Sequence, residues 1–314
     1  YGVQILAGGT LSVDSGSVMD YLLVVVTDNG EAAVYSGTNP ATDFALIGVF
    51  EIGQPVGHRC LFKIGGDLIV ITTDGAVPMR QAMNYDRAQA QQLAITAKIA
   101  NKFNESIQAG GGNFGWQGFI YQKGHYAIIN VPETEETLQT QFIQNTLTGA
   151  WCRFTGQNAN VWGVLNDNLY FGGNAGTVYK ADTGYDDDGS QIDSDLETAF
   201  THCGSPGQNK IFKAIRPLLL TSGTAEFTAG INVDFDRIQP TGTLSATAGA
   251  VGTWGAGQWS LARWGGVGLL VRKWLTTGRI GTMVAARLKV SAIGIAVQVN
   301  GFDILYERSR GTVL

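Results

Sequence analysis

The chain is short of charge, proline and cysteine, and each shortage narrows what it can be. Charged residues are 15% of the 314 positions and apolar ones 44%, an apolar share too high for a disordered chain. Seven prolines beside 43 glycines, with no fixed glycine period, exclude a collagen-like helix. Three cysteines, Cys60, Cys152 and Cys203, are an odd number without CxxC spacing, which points to buried thiols in a reducing compartment, not a disulfide framework. The longest apolar runs, such as Leu22–Val26, fall far below the roughly 18 residues of a membrane-spanning helix. The opening residues do not read as a secretory leader, so no membrane insertion is expected.

Enzyme signatures are also missing. No Walker-type phosphate loop, GxSxG elbow or HExxH helix occurs. Gly265-Gly266-Val267-Gly268 lacks the strand–turn–helix setting of a dinucleotide site. His58 with Cys60, and His202 with Cys203, do not supply the four ligands of a zinc site. Asp186-Asp187-Asp188-Gly189, flanked by Asp182 and Asp193, is the best cation candidate, but Gly184 stands where a calcium loop needs its first aspartate. The plainer reading is a solvated acidic turn. Glu133, Glu135 and Glu136 are too close in sequence to straddle a sugar as a glycosidase pair does. No catalytic residue, metal site or cofactor is expected from these patterns.

What is present is glycine between many short apolar runs, the signature of an all-β chain rich in tight turns. A unit of β-formers, a turn needing positive φ, and β-formers again recurs. Tyr21–Thr27 leads through Asp28-Asn29-Gly30 to Ala32–Tyr35, and Asp67–Thr73 through Asp74-Gly75 to Ala76–Met79. Asp167–Phe171 leads through Gly172–Gly176 to Thr177–Lys180, and His125–Val131 is a fourth such run. Starts about 43 to 58 residues apart match propeller blades. The long interval holds an insertion, about 86–109, where Ile95, Ile99, Phe103 and Ile107 recur every fourth residue. That spacing predicts one amphipathic helix, ended by Gly110-Gly111-Gly112 and covering a sheet edge. The reading is a partial or complete β-propeller with an inserted helix. Four units are few for a closed ring, and the first residue is Tyr1 rather than Met. Both lead to an expectation of further blades upstream, the alternative being that Tyr1–Val18 contributes edge strands.

Charge divides the chain. Residues 1–203 carry 21 acidic and 9 basic side chains, a balance of −12, and residues 204–314 carry 5 and 12, a balance of +7. With Gly204-Ser205-Pro206-Gly207 at the junction, this places a propeller-type domain at 1–203 and a smaller β-sandwich-like domain at 204–314. The basic residues of the second part are dispersed and form no nucleic-acid patch. Opposite domain charges suit docking between protein subunits. In the second domain Ile211–Leu220 and Ala225–Phe235 flank Thr221-Ser222-Gly223-Thr224 as a hairpin-like pair, and Asn300-Gly301 reads as a type I′ turn before Phe302–Glu307. Trp254, Trp259, Trp264 and Trp274 crowd a glycine-rich stretch. They read either as core of a small sandwich or as a subunit interface, where tryptophan is enriched.

Several phrases carry a family resemblance. Ala33-Val34-Tyr35-Ser36-Gly37-Thr38-Asn39-Pro40 followed by Ile47-Gly48-Val49-Phe50, and Gln141–Thr146 leading to Thr148-Gly149-Ala150-Trp151, are two. Leu169-Tyr170-Phe171-Gly172, Val178–Asp182 and Asp303–Arg308 are three more. Together they resemble the tail hub (nozzle), or head-to-tail stabilisation, proteins of short-tailed bacteriophages, mostly over residues 21–217. The resemblance implies a propeller with an added β-domain and no catalytic residue. It further implies a homohexameric ring in the virion tail, assembled in the host cytoplasm, that extends the portal channel for passing double-stranded DNA. Portal or adaptor proteins and tail fibres or spikes are the implied partners. The rival readings are a carbohydrate-binding or glycan-hydrolysing propeller and a cytosolic scaffold propeller.

Overall fold

The structure, a computed structural model, describes residues 4–14, 19–39, 41–246 and 269–308. The chain divides into two compact units, Tyr1–Thr183 and Gly184–Leu314.

The first unit is built from four antiparallel sheets taken in chain order. β1 (Ile5–Asp14), β2 (Met19–Thr27), β3 (Glu31–Ser36) and β4 (Ala45–Glu51) form the first sheet. β5 (Leu61–Ile64), β6 (Asp67–Thr72) and β7 (Gly75–Pro78) form the second. β8 (Gln117–Tyr121), β9 (Tyr126–Thr134), β10 (Leu138–Asn145) and β11 (Trp151–Phe154) form the third. β12 (Ala159–Leu165), β13 (Asn168–Gly173) and β14 (Val178–Lys180) form the fourth. The four recurring runs of the sequence are the second strands of these sheets. Each sheet is a meander because its turns are short and chemically suited to reversal. Gly30 and Gly75 have φ of 85° and 121°, a region open to glycine at little cost. A Cβ on Gly30 would also lie 2.6 Å from the Ile52 carbonyl oxygen.

Hydrogen bonds tie each sheet to the next. Ser12 N donates to Gly66 O at 3.0 Å between the first and second. Gly118 N donates to Arg59 O at 3.4 Å between the second and third, and Trp162 N donates to Gln117 Oε1 at 2.9 Å between the third and fourth. One buried cluster, including Val24, Ile69, Met79, Phe103, Trp116 and Ile129, joins the first three sheets to the helical segment. A smaller one, around Ile128, Ile143, Trp162 and Leu169, joins the last two. Among the described residues no strand pairing returns from the fourth sheet to the first. The first unit is a partial propeller of four blades.

The inserted helix is broken, contrary to the single helix predicted over about 86–109. α1 (Met79–Asn84), α2 (Arg87–Gln92), a 3₁₀ turn (Ile95–Ile99) and α3 (Ala100–Gly110) replace it. Asp86 caps α2, its carboxylate accepting from Gln89 N at 2.9 Å. The break follows at Ala94, which has ψ of 141°, and brings the Thr96 hydroxyl within 3.0 Å of Ala76 N on the edge strand β7. A buried edge N–H needs a partner, and that demand outweighs one more turn of helix. The segment does cover a sheet edge: it lies where the second sheet lacks a fourth strand.

The second unit is a β-sandwich of two antiparallel sheets. β15 (Ile192–Glu197), β21 (Val284–Ala292), β17 (Ala225–Val233) and β18 (Gly242–Ala246) form one. In the other, β16 (Lys210–Thr221) pairs along one edge with β19 (Leu269–Val271) and β20 (Leu275–Gly281), and along the other with β22 (Val297–Arg308). Phe212 and Ile215 of one sheet pack with Ile231, Val233, Val284 and Ala286 of the other. Lys210 is buried, its ammonium donating to Ser205 O at 2.7 Å, Gln208 O at 2.9 Å and Thr282 O at 3.0 Å. A buried charge needs such partners.

Three expectations for this part are corrected. The boundary falls at 183/184, not 203/204, because β15, just beyond the acidic turn, pairs with β21 from Ile192 opposite Ala292 to Glu197 opposite Arg287. β16 and β17 do not pair as a hairpin: the chain crosses from one sheet to the other between them. Asn300-Gly301 is not a turn either. β22 runs straight through it along β16, with the register slipping by a residue beside Leu218 and Leu219, so the dipeptide makes a bulge.

Candidate assembly surfaces

Trp254, Trp259 and Trp264 lie outside the described residues. Trp274 is described and stands at the surface, 43% exposed, just before β20. The Arg216 guanidinium sits 4.7 Å from its ring centroid, a cation–π distance. Arg216 also donates from Nε at 2.9 Å and Nη2 at 2.5 Å to Asp303 Oδ2. Trp274 is therefore fixed in place with one side open, and is not core of the sandwich.

The charge division softens once the boundary is moved. Residues 1–183 carry 15 acidic and 9 basic side chains, and residues 184–314 carry 11 and 12, so the balances become −6 and +1. The acidic strand β15 meets its cations inside its own unit. Arg287 donates to Asp195 from Nε at 3.0 Å and Nη2 at 2.7 Å, Lys289 reaches Asp195 at 3.5 Å, and Arg237 reaches Glu197 at 3.0 Å. Hydrogen bonding from Arg287 holds the Asp195 carboxyl below the usual carboxylate range. Opposite domain charges are thus a weaker basis for docking than residues 1–203 and 204–314 implied.

The remaining candidates are dispersed. His58 is exposed while Cys60 is wholly buried, and burial pushes the Cys60 thiol up to about 11, which leaves it a poor nucleophile. Cys152 is exposed and Cys203 half-buried, so only one of the three thiols is buried as expected. Asp186 accepts from Gly189 N at 3.2 Å within its own turn. Glu133 accepts from Thr140 Oγ1 at 3.0 Å, and Glu135 from Phe114 N at 3.3 Å. Among the described residues no three His, Cys, Asp or Glu side chains gather closely enough to hold a metal ion.

Two features of the first unit escaped sequence reasoning. The first is a buried amide clamp between the third and fourth sheets. Asn130 Nδ2 donates to Gly115 O at 2.9 Å and Ala159 O at 2.8 Å, and its Oδ1 accepts from Gln141 Nε2 at 2.9 Å and Trp162 Nε1 at 3.1 Å. Polar residues inside a strand give no signal of which partners they will meet.

The second is a pair of open apolar sheet faces. Cross-strand partners share a face, so Leu23, Tyr35 and Leu46 line up on the outer side of the first sheet, beside Val25, Ala33 and Val49. Val49 is 55% exposed. On the fourth sheet Val161, Gly172 and Val178 line up on the side away from buried Trp162, and Val178 is 70% exposed. A signal existed: Leu22–Val26 is apolar at both parities, the mark of a strand covered on both faces, yet only Leu22, Val24 and Val26 are buried.

No family model matches the chain, and no curated protein matches it. Among solved structures, it is similar to a glycoside hydrolase family 43 arabinoxylan arabinofuranohydrolase from Bacillus subtilis in complex with cellotetraose. Identity there is 10% and the TM-score 0.25, over 96% of this chain and 78% of that one. A Bacillus thuringiensis Cry1Da tryptic core variant is similar at 8% identity and a TM-score of 0.23, over 97% of this chain and about half (51%) of that one. Likenesses this distant carry no argument about function.

Proposed function

We propose that this chain is a structural, non-catalytic subunit of a short phage tail that works by assembling into a ring. In this reading the ring extends the DNA channel below the portal and carries fibres or spikes. The supporting observation is where the tail-hub-like phrases fall. Ala33–Ser36 lies in β3, Ile47–Phe50 in β4, Gln141–Asn145 in β10, Leu169–Gly172 in β13 and Val178–Lys180 in β14. The strand portions of the resemblance thus lie on the blade scaffold, while Gly37–Asn39 and Thr146–Ala150 fall in its turns and Asp303–Arg308 in β22 of the second unit. A first unit with 15 acidic and 9 basic side chains also suits a channel neighbour, since duplex DNA adheres to clustered cations. The test is to mix the protein with purified portal and adaptor rings and image the product by negative stain. A coaxial added ring is expected. No addition to any connector, together with retention on a glycan array, contradicts the reading and favours a carbohydrate-binding propeller.

A further inference from the structure

We propose that Phe235 is a docking anchor, projecting from the second unit into an apolar pocket of a different protein. The inference deepens the ring reading and rests on it, with the connector ring as the partner that supplies the pocket.

The backbone after β17 is where the argument starts. Asp234 and Phe235 both have positive φ, 49° and 66°, and Asp236 N donates to Val233 O at 2.9 Å to close a turn around them. Such a turn takes glycine, asparagine or aspartate at its centre, and a bulky residue there is strained. Asp234 suits its place. Phe235 does not, and it is 66% exposed, so little burial offsets the strain. The turn is nevertheless held fast: Asp234 Oδ1 accepts from Thr282 Oγ1 at 2.8 Å, Thr282 N at 3.0 Å and Met283 N at 2.8 Å. Phe200 stands alongside, its ring centroid 4.5 Å from that of Phe235. Backbone strain kept by firm surroundings points to function, and aromatic side chains are enriched where proteins meet.

The chemistry beside the turn selects the partner. Its charges are paired within the unit, Arg279 with Asp236 at 2.6 Å and Arg237 with Glu197 at 3.0 Å. An aromatic pair in that setting suits an uncharged protein pocket, whereas nucleic acids and anionic membranes select clustered cations. A second copy is a poor receptor. The best-formed cavity among the described residues is lined by Asn232, Arg279 and Arg287 and measures about 80 Å³. A benzene ring occupies an apolar cavity of about 150 Å³, so this one is too small and too polar for a phenyl group.

Phe235→Asn and Phe235→Gly separate docking from folding, because both replacements accept positive φ. Their melting temperatures are expected to rise or to stay within about 3 °C of wild type, the relieved backbone offsetting the lost ring contact. With purified portal and adaptor rings under negative stain, the share of connectors carrying an added ring should fall about tenfold. Leu147→Asn, in an exposed turn of the first unit, is the control and should add as wild type does. The mass of each free variant by light scattering should match wild type. Addition retained by both Phe235 variants, or lost equally in the control, would overturn the anchor while leaving the ring reading standing. So would a larger fall in melting temperature, which makes Phe235 a folding residue, or a changed free mass, which makes it a contact between copies. A wild type that adds to no connector would remove the ring reading and the anchor with it.

Discussion

Asn130 shows how much one residue holds. Its side chain serves carbonyls of the loop before β8 and of β12, and the donors of Gln141 and Trp162. Replacing it by alanine leaves several buried polar groups without partners, each costing roughly 1–3 kcal/mol. Asn130→Ala should therefore lower unfolding free energy by about 3 kcal/mol or more in urea titration, whereas surface substitutions fall within about 0.5 kcal/mol. Asp195 supplies a pH-dependent contribution. Its folded value is depressed below the ordinary 3.8 by Arg287, so its contribution is complete above that value and is lost as pH falls through the folded one. The melting-temperature gap between wild type and Asp195→Asn should be present at pH 7 and close as pH falls from the ordinary 3.8 through the depressed folded value. High salt should narrow it at neutral pH, because the pair is partly exposed.

At the level of elements, the hairpins were legible because their chemistry is local. Asp28-Asn29-Gly30 and Asp74-Gly75 need positive φ, and the structure uses it at Gly30 and Gly75. What failed depended on distant partners. The four-residue period of Ile95, Ile99, Phe103 and Ile107 describes a stripe, but nothing in it tells of an edge N–H on β7 that takes the hydroxyl of Thr96, which sits in a 3₁₀ turn and not in a continuous α-helix. Thr96→Val keeps the shape and removes that acceptor. It should cost about 1–2 kcal/mol and speed amide hydrogen exchange at Ala76 above that of its β7 neighbours. Asn300-Gly301 failed for the mirror reason: a strong local turn signal was overruled by β16, whose whole length from Lys210 to Thr221 pairs with β22. β15 was hidden by its acidic composition, and becomes a strand only because Arg287 and Lys289 face it across the ladder.

For the whole molecule, the order of units was readable and their join was not. Charge located a change of surface near residue 203, but the acidic residues responsible belong to the second unit, where Asp195 and Glu197 meet Arg287, Lys289 and Arg237. Of four tryptophans singled out, Trp274 is described and is anchored by Arg216. The direct measurement is the mass of the purified protein by multi-angle light scattering across concentration and salt. The account predicts a discrete closed particle of about six chains, formed alone or on portal and adaptor rings. A monomer under every one of those conditions would contradict it.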